Sequence, residues 1–319
     1  MEKIYFFTKK SNIISSCIEN ESIQFPKNGE EAWINQTYFL LSKENHEFDI
    51  SITNSIPERG IIVFHAGSFY NELKPTKDQF FICVAADYGR HRYAQIHIFQ
   101  NINQTQIKSS LRLIFDKLFY FTDNIFVPHW MQPNIIPRRK TSRKLRRIGY
   151  FGLRQNIELN LIDLLNDFSK KYDLDFEIVD DYRKWNDYSN FDLIVSIRGF
   201  RNNKYWNKPF SKLINSIIAG VPVISGNESS ARYFKDHYFH YLPIVNNERE
   251  LFHEIVSLME NYDKYLLIVE EYSSSLRETY PNDVENKWKN CLNSSVILFD
   301  KWKRASSFEK ELFFRSRDV

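Results

Sequence analysis

An α/β protein built from two Rossmann-like domains with a central cleft between them, and with C-terminal helices crossing back, is the fold class that the sequence predicts. Three observations carry it. Runs of Ile, Val and Phe that are continuous rather than alternating recur along the chain, the pattern of strands covered on both faces by helices. Helical patterns separate these runs, and strand, helix, strand in repetition implies parallel sheets with right-handed crossovers. The length, 319 residues, exceeds one ordinary core and points to two domains.

The first set of strands is read from KIYFF (3–7), TYFLL (37–41), GIIVFHAG (60–67), QFFICVAAD (79–87), AQIHIFQN (94–101) and NIFVPHW (124–130). Among them the stretch 103–121 spaces its apolar residues as a helix does. The same grammar restarts with RIGYFG (147–152) as a strand, 156–172 as a helix, and LDFEIVD (174–180) and FDLIVSIR (191–198) as strands. KPFSKLINSIIAGVPVISG (208–226) then reads as a helix running into a short buried strand, and HYLPI (240–244) as one more strand. Segments 261–280 and 293–319 read as terminal helices that pack back on the first domain. The expected division is 1–128, a linker at 129–147 holding two prolines, with Pro128 just before it, and a basic run (RRKTSRKLRR, 138–147), 148–285, and the helices of 286–319.

Composition narrows the class. Hydrophobic residues make up 43% of the chain and charged residues 26%, ordinary values for a globular protein. A net charge of +3 is too small to imply nucleic acid as a partner. Cys17, Cys83 and Cys291 stand far apart without C-x-x-C pairing, which fits reduced thiols in a cytoplasmic protein. No stretch reaches the roughly 20 apolar residues of a membrane span.

The segment 208–226 carries the strongest functional signal. Phe210, Leu213, Ile214, Ile217 and Ile218 fall on one helical stripe, Pro209 suits the first turn, and Gly220 suits a left-handed end. Lys208 and Lys212 crowd the helix start, where the helix's own partial charge disfavours cations. A phosphate-bearing ligand would compensate them, and so would solvent or a carboxylate from elsewhere in the fold. Asn227, Glu228 and Ser229 follow the strand, at the carboxyl end where open α/β sheets bind ligands. Glu228 could hold a pair of sugar hydroxyls or serve as a first-turn helix carboxylate, and Ser229 or Ser230 could cap a helix.

These residues resemble the donor-binding region of GT-B-fold glycosyltransferases, in which a polar helix start, a helix ending in Ala-Gly and a VPVI strand precede the loop that holds a nucleotide sugar. The resemblance implies a donor domain in the second half and an acceptor domain in the first. It implies donor contacts from Gly152, Leu153 and Arg154 in the GYFGLR loop, and from Lys208, Ser211, Lys212, Asn215, Asn227, Glu228 and Ser229. It implies a nucleotide sugar as substrate, a glycan or lipid-linked acceptor, no cofactor and no metal. The glutamate pair spaced E-x7-E in many retaining members falls here on Asn207 and Asn215, so that retaining site is not carried over.

Glycosyl transfer by inversion also needs a base near the acceptor hydroxyl. His65 and Asp87 each follow a continuous apolar strand of the first half, and His91 lies a few residues on; each is a candidate base and equally a structural loop residue. Phosphate-binding and dinucleotide-binding glycine motifs are absent, as is a nucleophilic serine elbow. The basic run at 138–147 and the mixed basic and aromatic tail invite peripheral contact with an anionic membrane, at its inner face, or plain solvation. Two rival readings stay open: a nucleotide-sugar epimerase of the same fold, and a non-catalytic binding protein that uses the basic linker.

Overall fold

The computed structural model describes residues 2–9, 26–44, 47–86, 88–106, 119–139, 144–200, 205 and 207–318. The chain divides into two units, Met1–Trp130 with Asp283–Val319, and Met131–Asn282. Each is built on one parallel sheet.

Unit 1 contains β1 (Lys3–Phe7), β2 (Asp49–Thr53), β3 (Gly60–His65), β4 (Gln79–Val84), β5 (Ile96–Phe99) and β6 (Asp123–Phe126), in the order β2-β1-β3-β4-β5-β6. Every pairing is parallel, and β3 and β4 are buried along their whole length. Covered faces explain the unbroken apolar runs: neighbouring phenylalanines point to opposite layers. Phe6 meets Trp288 and Phe80 meets Phe299, whereas Phe7, Phe64 and Phe81 join Phe69 on the other face.

Two segments of this unit depart from the expectation. TYFLL is helical, part of α1 (Gln36–Glu44), which continues a π-helical turn over Glu31–Asn35. A five-residue apolar run fits a buried helix as well as a strand, and the buried Ala32, Trp33 and Ile34 just before it decide the matter. The edge strand is instead DISIT, β2, partly exposed and too short to stand out. Helix α2 covers Ile102–Gln106; the rest of the helix expected at 103–121 falls largely outside the described residues.

Unit 2 contains β7 (Arg147–Phe151), β8 (Asp175–Val179), β9 (Leu193–Ser196), β10 (Val223–Gly226) and β11 (Ile244–Val245), in the order β11-β10-β9-β7-β8. The strands run parallel, but the chain adds β8 on one side of β7 and β9, β10 and β11 on the other, so the crevice at the carboxyl ends of β7 and β9 is a topological switch point. The helices are α3 (Leu159–Lys171), α4 (Ser211–Ile218), α5 (Ser229–His237) and α6 (Glu248–Glu260). Leu161, Ile162 and Leu165 of α3 and Leu251, Ile255 and Leu258 of α6 enter one core with Ile148, Leu193 and Ile224. Leu213, Ile214, Ile217 and Ile218 of α4 are buried, each contributing about 1.5–3 kcal/mol. Gly220 ends α4 at φ +75°, the left-handed value that favours glycine.

The residues after Met131 are anchored in unit 2. Ile136 bridges to Asp187, and Arg138 donates to Ala219 O and to the Asp192 carboxylate. Lys140–Arg143 of the basic run lie outside the described residues. The terminal helices differ from the two expected segments: α7 is continuous over Tyr262–Arg304, with Pro281 inside it, and α8 (Ser307–Arg315) opens with a capping box between Ser306 and Glu309. A proline inside a helix costs about 3 kcal/mol, and the buried Tyr280, Val284 and Trp288 around it offset that cost. Within unit 1, Trp302 of α7 packs on Phe121 and donates to Thr76 O, and Phe313 of α8 packs on Phe119. No helix among the described residues is long and apolar enough to cross a membrane.

Candidate functional site

Three loops and one helix start meet at the switch point of unit 2. The chain leaves β7 through Gly152 at φ +143°, a conformation that a side chain rarely adopts. A Cβ there would lie 2.9 Å from Lys212 Nζ, so the lysine of α4 closes directly on the glycine of the β7 loop. The Lys212 ammonium also lies 4.4 Å from the centre of the Tyr150 ring. Charge from the helix start and bare backbone from the loop therefore occupy one place.

Beside them stands an ion pair that the sequence did not reveal. Arg198, just past β9, donates from Nη1 to both oxygens of Glu228, at 3.0 and 3.1 Å. The Arg198 guanidinium faces the Tyr205 ring at 5.2 Å. Burial pushes the Glu228 carboxyl above its ordinary range, while Arg198, Lys212 and Lys208 pull it back. The four charges thus share one field. Glu158, at the start of α3, sets its carboxyl against Gly199, where a Cβ would lie only 2.0 Å from Cδ. Tyr150 is buried with no hydrogen-bond partner for its hydroxyl among the described residues, and desolvation raises it to about 12.

The expected donor residues divide into two groups. Gly152, Lys208, Lys212 and Glu228 come together. Arg154 is exposed on the turn after Leu153, and Ser211 opens α4. Asn215 faces away: its amide accepts from Gln132 N and donates to Gln132 Oε1, at 3.1 and 2.9 Å. Asn227 is spent on Asn246 and Arg232. Ser229 is the buried first residue of α5, whose N-cap is Glu228. Arg198 and Glu158 were missed because a basic strand end and an acidic helix start are common surface features. The only signal was position, at the carboxyl ends of β9 and β7.

The candidate bases lie in unit 1. His65 ends β3, is 3% exposed and accepts from Gly67 N at Nδ1, which puts its ring proton on Nε2. That nitrogen faces Gly29, where a Cβ would lie 2.9 Å away. His91 is packed among Phe64, Phe69 and Phe81; it accepts from Tyr93 N at Nδ1 and donates from Nε2 to Tyr70 O. Burial pushes its pKa down. Asp87 lies outside the described residues. Among the described residues no group of three or more His, Cys, Asp or Glu side chains is placed to hold a metal ion. Cys83 and Cys291 are free and buried, and burial raises the Cys83 thiol to about 12.

No protein-family model matches the sequence, and no curated protein matches it either. Solved structures similar to the chain include TarM of S. aureus, at a TM-score of 0.42 and 14% identity over 71% of this chain and 56% of that one. The chain thus spans little more than half the length of TarM. A mutant O-GlcNAc transferase of Thermobaculum terrenum gives 0.49 and 8% identity, covering 95% of this chain and 68% of the other. The sucrose-phosphate synthase of Thermosynechococcus elongatus gives 0.46 and 8%, covering 92% and 100%. Likeness at this level carries no residue role over to this chain.

Proposed function

We propose that the chain is a GT-B-like glycosyltransferase that moves a sugar from a nucleotide-activated donor to a glycan or lipid-linked acceptor in the synthesis of a bacterial surface polysaccharide. The observation that carries this reading is the closure of Lys212 on Gly152 at the switch point of unit 2, with Lys208 beside it. A diphosphate is the ligand group that such a place suits. It meets two ammonium groups, a loop residue without a side chain, and the positive end of α4. When the bond from sugar to phosphate breaks, negative charge grows on the departing diphosphate, and fixed cations lower the barrier by stabilising it.

The acceptor is assigned to unit 1, towards the carboxyl end of β3 where His65 stands. Peripheral contact with an anionic membrane belongs to the same proposal, because a lipid-linked acceptor would be met at the inner face of that membrane.

Turnover tests the proposal. Purified protein is incubated with UDP-, GDP-, CDP- and CMP-activated sugars, and release of free nucleotide is followed by chromatography with and without acceptor glycans. Release from one donor, lost in Lys212→Ala, is the expected result. An unchanged donor pool with every acceptor would overturn the enzymatic reading, and interconversion of the sugar without its release would favour an epimerase.

A further inference from the structure

Glu228 stands at the N-cap of α5, where an acidic side chain ordinarily turns back onto the first N–H groups of its own helix. Here it does not. Both of its oxygens accept from Arg198, a residue just past the end of β9, and the two side chains are only 14% and 12% exposed. The pair lies within reach of Lys208 and Lys212, which act on the same carboxylate. A guanidinium donates to carboxylate and to phosphate oxygens alike, and here one nitrogen, Nη1, donates to both oxygens of Glu228. The internal carboxylate therefore occupies a donor that a ligand phosphate would also use.

We propose that Glu228 is the resident stand-in for a ligand phosphate: a nucleoside diphosphate bound at Lys208 and Lys212 takes over Arg198, and the displaced Glu228 carboxylate takes up one proton from solvent. This rests on the donor-site reading above. Displacement removes the cation that stabilises the carboxylate and brings a second anion beside it, and both changes favour the protonated acid. Burial already acts in that direction. The groups facing Glu228 are Arg198 from the end of β9, Lys208 and Lys212 from the start of α4, Tyr150 from β7 and Tyr205. The lysines oppose protonation, but the incoming diphosphate neutralises them too.

The sign follows. Binding that takes up a proton strengthens as pH falls, by up to about tenfold per pH unit across the interval between the free and bound pKa of Glu228. Replacing Glu228 by glutamine removes the competitor and leaves Arg198 available at every pH.

Titration calorimetry with UDP, GDP and CDP, from about pH 6 to about pH 8.5 in buffers of different ionisation enthalpy, tests this on wild type, Glu228→Gln and Arg198→Lys. The phosphate's own titration is common to all three proteins and cancels in the comparison. Wild type should take up more protons on binding than Glu228→Gln, and its affinity deficit relative to that variant should widen as pH rises, by about tenfold for each pH unit over which the extra uptake stays close to one proton, and narrow towards the acid end. Arg198→Lys keeps the charge but loses the planar guanidinium donors, and should bind more weakly throughout; it reports on the pair even if the glutamine variant fails to fold. Measurable binding with equal proton uptake in wild type and Glu228→Gln overturns the displacement and leaves the donor site standing. No binding of any nucleotide to any of the proteins overturns both.

Discussion

Lys212 Nζ lies 2.9 Å from where a Cβ would stand on Gly152, whose φ of +143° already disfavours a side chain. Gly152→Ala combines a disfavoured φ with a collision, at a cost of about 1–3 kcal/mol, and should lower the melting temperature while abolishing nucleotide binding. A variant that melts and binds as wild type does would remove the glycine from the site. His91 gives a test by pH. Its pKa is lowered in the fold, so its contribution to stability is whole above the ordinary histidine value of about 6.5 and is lost as pH falls through the folded value. His91→Gln does not titrate, so its stability deficit relative to wild type in urea should shrink between about pH 8 and about pH 5. A constant deficit would mean that the ring's charge does not matter. At this scale the lysines were legible because cations at a helix start oppose the helix's own field. Arg198 was not, because only the fold brings Glu228 to it.

Helix α4 and strand β10 were legible as elements because every local signal agreed: a proline before the helix, one apolar stripe, a glycine at the end. The run at 37–41 was not, since five apolar residues carry no decisive period and the buried π-turn before them set the outcome. The segments 261–280 and 293–319 read as separate helices, whereas the first and the start of the second belong to one helix, α7, which packing keeps whole across Pro281. The segment after Met131 reads in sequence as a proline-rich linker, and only the structure reveals how it is pinned. Arg138 and Asp192 form a nearly buried pair, 6% and 14% exposed, and the second Asp192 oxygen accepts from Arg146 N and Arg147 N. Removing the guanidinium leaves the Asp192 charge without this counter-ion, held by those two backbone N–H groups. Arg138→Met should therefore cost unit 2 about 3–5 kcal/mol in chemical denaturation. A loss under about 1 kcal/mol would place the pair with ordinary surface bridges.

Across the whole molecule, two parallel sheets were legible from the unbroken apolar runs, and the strand order within each sheet was not. Strand order depends on which buried faces meet, and the runs do not encode that. That order matters, because it puts the switch point of unit 2 between β7 and β9 and so gathers Gly152, Arg198 and the start of α4. The measurement that bears most directly on this site is a thermal-shift comparison of wild type and Lys212→Ala against UDP, GDP, CDP, CMP and their common sugars. One nucleotide class should raise the wild-type melting temperature, and the rise should shrink or vanish in the variant. Equal stabilisation of both proteins, or none of either, would contradict an anion site at Lys212.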